Sequence, residues 1–291
     1  MTKLKIVAGV LIFVLPMLFV SPPNVRGSSL GIDLKLYGGL NYLSGGDFNT
    51  GLKGFTDYEG KYLWFFGLSH TGGEYNPVHG GMDLGGDLIL RITPVWGVGI
   101  GAGYIRGTRD SEITYGPVSA GMTTTATLSA VPLRFGVFCA LPLSSAIHID
   151  LHAGLGYYLA RASFTFRPYT PGSWVLYKMD ADGGGLGFQG GLGIELKVSP
   201  AIAFFLEGQG RYASLGGFEG TSSISGSGGG GTSASGTAYF FTMVQGILGN
   251  FPGIFVFNSV PGAPNFLNVR EAKIDFSGFS VLAGVIFRFG L

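Results

Sequence analysis

Residues Ile147–Ala160, IHIDLHAGLGYYLA, alternate with a period of two. Ile147, Ile149, Leu151, Ala153, Leu155, Tyr157 and Leu159 fall on one face, and His148, Asp150, His152, Gly154, Gly156 and Tyr158 on the other. That period predicts a strand with one apolar face. The pattern recurs in Leu30–Leu43, Met82–Ile92, Trp96–Gly107, Ala130–Leu141, Gly185–Val198, Ile202–Ala213 and Gly278–Leu291. The chain is therefore expected to be all-β, built from eight strands of similar length.

The connections alternate in length. Long or medium loops are expected at Ser44–His79, Thr108–Thr125, Ser163–Gly184 and, longest of all, Ser214–Ala272. Tight turns are expected at Thr93–Val95, Pro142–Ser145 and Ser199–Pro200. Such alternation describes an up-and-down antiparallel meander, and in transmembrane barrels the short turns are periplasmic and the long loops extracellular.

Period two alone does not say which face is wet. A lipocalin-like barrel is apolar inside, and a membrane barrel is the reverse. Charged residues make up only 12% of the chain, about half the usual share of roughly 25%, too few to cover a soluble domain. The polar strand faces are mostly small residues, and glycine accounts for 53 of 291 positions. Such faces suit a narrow lumen. The apolar faces end in aromatic residues: Tyr42, Tyr104, Tyr157, Tyr212 and Phe279 toward the long loops, and Trp96, Phe204 and Phe289 toward the short turns. Two such belts are expected at the two interfaces of a bilayer. A sheet in lipid must also close, because no water satisfies its edges. The expected fold is an eight-stranded antiparallel transmembrane β-barrel.

The lumen then holds a polar network: Asp33, Lys35, Asp83, Asp87, Arg91, Arg134, His148, Asp150, His152, Gln189, Glu195, Lys197, Glu207, Gln209, Arg211 and Arg288. Its six basic Lys and Arg residues match its six acidic ones, and in so narrow a space they are expected to pair. His148, Asp150 and His152 have a metal-like spacing, but no Cys and no further His shares the assigned strand faces, so the reading is a polar wall without metal. Cys139 reads as a small hydrophobe. GLGFQG at Gly185–Gly190 lies in a strand with no helix after it, which fails the context for a dinucleotide site. GSGGGG at Gly226–Gly231 reads as flexible linker. The net charge of +1 gives no reason to expect nucleic acid. No cofactor is implied.

The N-terminus has Lys3 and Lys5, an apolar run over Ile6–Val20 and a small residue at Gly27, which together read as a secretory signal peptide over 1–27. The remaining 28–291 forms the barrel. In the last loop, about 214–272, Gly216–Gly236 is expected to be mobile. Ala238–Leu267 is strongly apolar, and Tyr239, Phe240, Phe241, Phe251, Phe255 and Phe257 are candidates for a cap over the mouth or an interface for an apolar ligand.

VPLRFGVF, IDLHAGLGYYLA and the ending GVIFRFGL together resemble the small outer-membrane protein β-barrel superfamily, the OmpA/OmpX/OmpW-like barrels. The resemblance implies a bacterial outer-membrane location, contact with outer-membrane lipid, and assembly by periplasmic chaperones and the barrel-insertion machinery. Family members end in Phe, whereas here Gly290 and Leu291 follow Phe289. The expected role is structural, as a monomer with a plugged or very narrow lumen and no enzymatic activity. One alternative is a small channel that captures apolar solutes in its extracellular loops. Another is an outer-membrane lipid-modifying enzyme using rim groups such as His70, His79, Asp180 and Asp182, which needs base and nucleophile within hydrogen-bond reach.

Overall fold

The computed structural model describes residues 30–116 and 120–290; the expected signal peptide lies outside them. Fourteen strands and one α-helix follow in the order β1 (Gly31–Leu43), α1 (Asp47–Phe65), β2 (His70–Gly72), β3 (Gly80–Arg91), β4 (Trp96–Tyr115), β5 (Ala120–Pro142), β6 (Ile147–Thr170), β7 (Ser173–Lys197), β8 (Ile202–Tyr212), β9 (Ser214–Gly226), β10 (Gly231–Val244), β11 (Asn250–Phe257), β12 (Phe266–Glu271), β13 (Ile274–Asp275) and β14 (Gly278–Gly290). The eight expected strands are β1, β3, β4, β5, β6, β7, β8 and β14. Each pairs antiparallel with its neighbours in chain order, β14 pairs β1, and the β7–β8 ladder completes a closed ring.

The faces fall as the alternation predicts. Leu40, Ile100, Phe135, Leu155, Leu192 and Leu206 point out and are exposed, while Asp33, Lys35, Asp83, Glu195 and Glu207 point in and are buried. On β7 the contrast between adjacent residues is extreme: Ile194 is 60% exposed and Glu195 0%.

Four expected loops are instead built structure, and the strand count exceeds eight. β4, β5, β6 and β7 run 20, 23, 24 and 25 residues, far past the ring, where Thr108–Thr125 and Ser163–Gly184 were expected to loop. The reason is a reversal of phase. On β6 the outward Leu155, Tyr157 and Leu159 give way to the buried Ala160, Ala162, Phe164 and Phe166, with Arg161, Ser163 and Thr165 now outward. Above this line the sheet is apolar inside and polar outside. β9 extends it beside β7, and β10 pairs β9. Gly216–Gly236, expected to be mobile, is a β-hairpin, with the GSGGGG run at its turn. The result is a curved wall standing on one side of the ring.

The first loop forms α1, which fills this cup. Phe48, Leu52, Phe55 and Leu63 recur at helical spacing and are buried. The C-terminus closes in a Schellman arrangement: Gly67 adopts φ 81, Leu68 N–H donates to Leu63 O at 3.0 Å, and Gly67 N–H donates to Trp64 O at 2.9 Å. β11 folds back inside the wall, tied to it by Ser222 Oγ–H donating to Val256 O at 2.7 Å. The helix reaches β11 through Gly51 and Gly54. A Cβ at Gly54 would lie 1.9 Å from the Pro252 carbonyl oxygen.

That approach is tight enough to test. Gly54→Leu should expel α1 from the cup, with an overpacking cost of at least about 1–3 kcal/mol. Limited proteolysis should then cut within Asp47–Phe65 while the ring strands stay protected. An unchanged digestion pattern would disprove the close seat.

Candidate functional site

The ring interior is where sequence and structure place the chemistry. Its glycines make room for charged side chains: a Cβ at Gly101 would sit 1.9 Å from Asp87 Oδ1, and one at Gly191 would sit 2.3 Å from His152 Cε1.

The charges pair across the bore. Lys35 Nζ donates to Glu207 Oε2 at 2.5 Å and lies 4.2 Å from the centroid of the Phe205 ring. His152 Nδ1 is 3.5 Å from the same Glu207 oxygen; its ring stacks on Phe138, and Gln209 lies 3.4 Å from its Nε2. Arg134 reaches Asp87 at 3.1 Å and the Gly86 and Ala102 carbonyls at 3.3 and 3.2 Å. Toward the short-turn end, Asp33 accepts from Arg91 Nε at 2.6 Å, with Arg288 Nε at 3.7 Å. Arg288 Nη2 donates to Glu195 Oε1 at 2.5 Å, and His148 Nδ1 is 3.8 Å from that oxygen. Toward the cup, Asp83 Oδ2 accepts from Arg211 Nη1 at 3.2 Å and from Ser280 Oγ at 2.8 Å. Arg211 Nε also donates to Phe276 O at 2.9 Å.

Among the described residues, Asp150, Gln189 and Lys197 make no ion pair or side-chain hydrogen bond, although Asp150 is buried. His148 and His152 turn to different carboxylates, so the metal-like spacing on β6 does not converge on one centre. Asp83 Oδ1, Arg91 Nη1, Arg211 Nη2 and Arg288 Nη1 have no protein partner; atoms of this kind are where water enters a buried network. Reading the sequence missed Phe205, which shares its parity on β8 with Glu207 and Gln209. With Tyr37, Leu282 and Ile286 it forms a small apolar cluster inside the bore.

Above the charges lies an apolar layer. Leu43, Phe48, Leu52, Val78, Ile105, Leu128, Tyr158 and Phe276 are at most 1% exposed and belong to one packed cluster. They come from ring-strand ends, from α1 and from the loops beside it. The apolar last-loop residues enter the same cluster: Phe241, Phe251 and Phe255 are buried, and Tyr239, Phe240 and Phe257 pack against them. Asp47 clamps the helix base, accepting from Arg270 Nη1 at 2.5 Å, Arg270 Nη2 at 2.7 Å and Lys273 N–H at 2.8 Å.

The belt residues lie at the two ends of the outward apolar band. Tyr42 stacks on Phe279 and His79 at the cup end, where Tyr212 pairs with Phe188 in register. Tyr104 and Tyr157 are exposed there too. Trp96, Phe204 and Phe289 pair with Cys139, Leu196 and Ile32 near the short turns. The rim groups do not assemble. His70 Nε2 is 2.9 Å from Gly73 O and His79 Nδ1 is 2.7 Å from Leu43 O, while Asp180 and Asp182 flank Arg161. Among the described residues no hydrogen bond joins any two of these four groups.

One further group stands out in the cup. Glu59 on α1 is partly buried beside Tyr58 and Tyr177, and that burial pushes its carboxyl up to about 7.

No protein-family model matches the chain, and no curated protein matches it. Two solved structures align with it along most of its length. The outer membrane protease OmpT from Escherichia coli aligns at 10% identity and a TM-score of 0.41, over 92% of this chain and 99% of that one. The outer membrane protein OprG from Pseudomonas aeruginosa aligns at 12% identity and a TM-score of 0.38, over 92% and 100%. No residue role follows from likeness at this level.

Removing one partner of a buried pair strands the other. Lys35→Met should destabilise the ring by about 3–5 kcal/mol, and adding Glu207→Leu should restore most of that loss. Denaturant midpoints of the two single variants and the double variant measure it, and additive losses would refute the pairing. For Glu59 the sign follows from its raised folded-state value. The docked helix holds the proton more tightly than the unfolded chain does, so docking is firmest below about pH 4.5, the ordinary value for Glu. It weakens as pH rises through about 7. Glu59→Gln should flatten that dependence in amide exchange of α1 between pH 5 and pH 8.

Proposed function

We propose that the protein is an integral β-barrel of the bacterial outer membrane with a structural role, a closed bore and no enzymatic activity. Its short turns face the periplasm and its cup faces outward. One observation carries the reading: a closed ring wears its apolar side chains outside and its ion pairs inside. Water around such a ring would face a continuous belt of Leu, Ile and Phe, whereas lipid would not object to it. The lengths agree. β1, β3, β8 and β14 have 13, 12, 11 and 13 residues, and a tilted strand needs about 9–11 to cross the hydrocarbon. Closure leaves no backbone edge to satisfy in the ring.

A closed bore is favoured over a channel by the apolar stopper rather than by the charges. Some guanidinium atoms of the network lack a protein partner, and Phe48, Leu52, Ile105 and Leu128 pack between that network and the cup. The solute-capturing alternative loses support because the last-loop aromatics are consumed in packing around α1.

Two measurements test this. Leu155→Arg places a charge midway along the outward face of β6, at a cost of roughly 2–4 kcal/mol in a bilayer. It should impair assembly, read as loss of heat-modifiable gel mobility; normal assembly would argue against a lipid face. In planar bilayers the wild-type protein should show no steady conductance, and deletion of Ala238–Leu267 should raise it. A steadily open wild-type pore would refute the closed bore.

A further inference from the structure

The outer face of the wall is unlike the rest of the molecule. It begins where the apolar band stops. In the last apolar row Val131 pairs with Leu159. The next row runs Arg106, Ser129, Arg161, Asp182 and Glu219 across β4, β5, β6, β7 and β9. Above it comes Thr108, Thr127, Ser163, Asp180 and Thr221, and then Asp110, Thr125, Thr165, Lys178 and Ser223. Successive rows are about 7 Å apart, because same-face residues are two apart at roughly 3.3 Å each.

Two adjoining hollows lie on this face. The lower, of about 420 Å³, is lined mostly by hydroxyls, among them Thr125, Thr165, Thr221 and Ser233, with Lys178 and Asp180 beside them. The upper, of about 510 Å³, is lined by Glu112, Thr123, Arg167, Tyr169 and Trp174. Tyr169 and Trp174 are partners in the β6–β7 register. Gly121 on the neighbouring strand lets the Tyr169 ring lie down: a Cβ there would be 2.9 Å from its Oη and 3.1 Å from its Cζ. The Arg167 guanidinium stands 5.3 Å from the centroid of the Trp174 indole. On this face Asp180 has a basic partner and Asp110 a hydroxyl one. Arg161 Nε donates to Asp180 at 2.8 Å, and Thr125 Oγ1 donates to Asp110 at 2.6 Å.

From this arrangement we infer that the two hollows form one binding groove for a short oligosaccharide, the sugar portion of an outer-leaflet glycolipid. Hydroxyls that both donate and accept match the hydroxyls of a sugar. The flat Tyr169 ring, with the edge of Trp174, offers an apolar platform for the C–H face of a pyranose. Lys178 and Arg167 stand against Asp180 and Glu112 in the two linings, a balance of charge that suits a largely uncharged glycan. The source follows from position. The lower hollow lies only about two rows, roughly 14 Å, above the last apolar row. On the membrane reading given above, on which this inference rests, that is the level of the head-group sugars. A glycan tethered there by its own lipid is held at high effective concentration.

The test uses the full protein in nanodiscs and, as probe, the core oligosaccharide released by mild acid from rough lipopolysaccharide and stripped of its phosphates, with lipid A alone as the second arm. Wild-type protein should bind the released oligosaccharide in calorimetry. Trp174→Ala and Tyr169→Ala should each weaken that binding about three- to tenfold, the worth of one aromatic contact. Thr165→Val, which keeps the side chain's shape, should also weaken it, and heat-modifiable mobility should stay normal in all three. Absence of oligosaccharide binding, binding of lipid A alone, or equal binding by wild type and all three variants would overturn the groove. Failure of wild-type protein to enter nanodiscs would instead overturn the membrane reading and the inference with it.

Discussion

The ladder from Gly31–Gly290 to Leu43–Gly278 joins the first and last ring strands, and β7–β8 joins the remaining pair of edges. Once the sheet is closed, each strand has one face that points to the outside and one that points into a narrow bore. An eight-stranded ring leaves an interior only wide enough for side chains. The polar faces therefore have to be sparse, and glycine at alternate inward positions makes them so. Gly101 beside Asp87 and Gly191 beside His152 are spaces left for a polar neighbour. The pairing of Lys35 with Glu207, of Arg288 with Glu195 and of Arg211 with Asp83 follows from the same crowding. In that volume a lone charge would have neither bulk water nor a partner.

The cup stands over the end of the ring beside the long connections. β4–β7 continue upward with their apolar phase reversed, which turns a wall that is apolar on the outside into a wall that is apolar on the inside. That apolar inside needs something to pack against. α1 and β11 supply it, with the Gly51 and Gly54 face of the helix pressed onto β11. The same helix brings Phe48 and Leu52 down onto the bore. The Asp47–Arg270 clamp fixes the foot of that helix.

The ring was legible in the chain because period-two alternation survives wherever one side of a strand meets lipid-like surroundings and the other does not. The eight ring strands and their order could be read from parity. The cup was not legible for a related reason. At Leu159–Ala160 on β6 the apolar set shifts by one residue, so a search for a continuing pattern ends the strand there. α1 was hidden in a stretch with three glycines, Gly51, Gly54 and Gly60, which local propensity places outside a helix. Two of them are required by the tertiary contact with β11, and propensity has no knowledge of that. The Phe-Gly-Leu stop at Phe66–Leu68 was a visible C-terminal signal that went unread.

By itself, then, the sequence determined the eight antiparallel ring strands and the alternation of their two faces, because alternation and composition are local quantities. Only the tertiary structure decided which charge meets which. Partners such as Lys35 and Glu207 stand 172 positions apart, and their meeting depends on ring closure and register. It also decided that the longest loop is a sheet, that the first loop is a helix, and that Phe241, Phe251 and Phe255 pack into the cup. These outcomes turn on which surfaces find each other across the cup, and chain order does not encode that until the wall has curved.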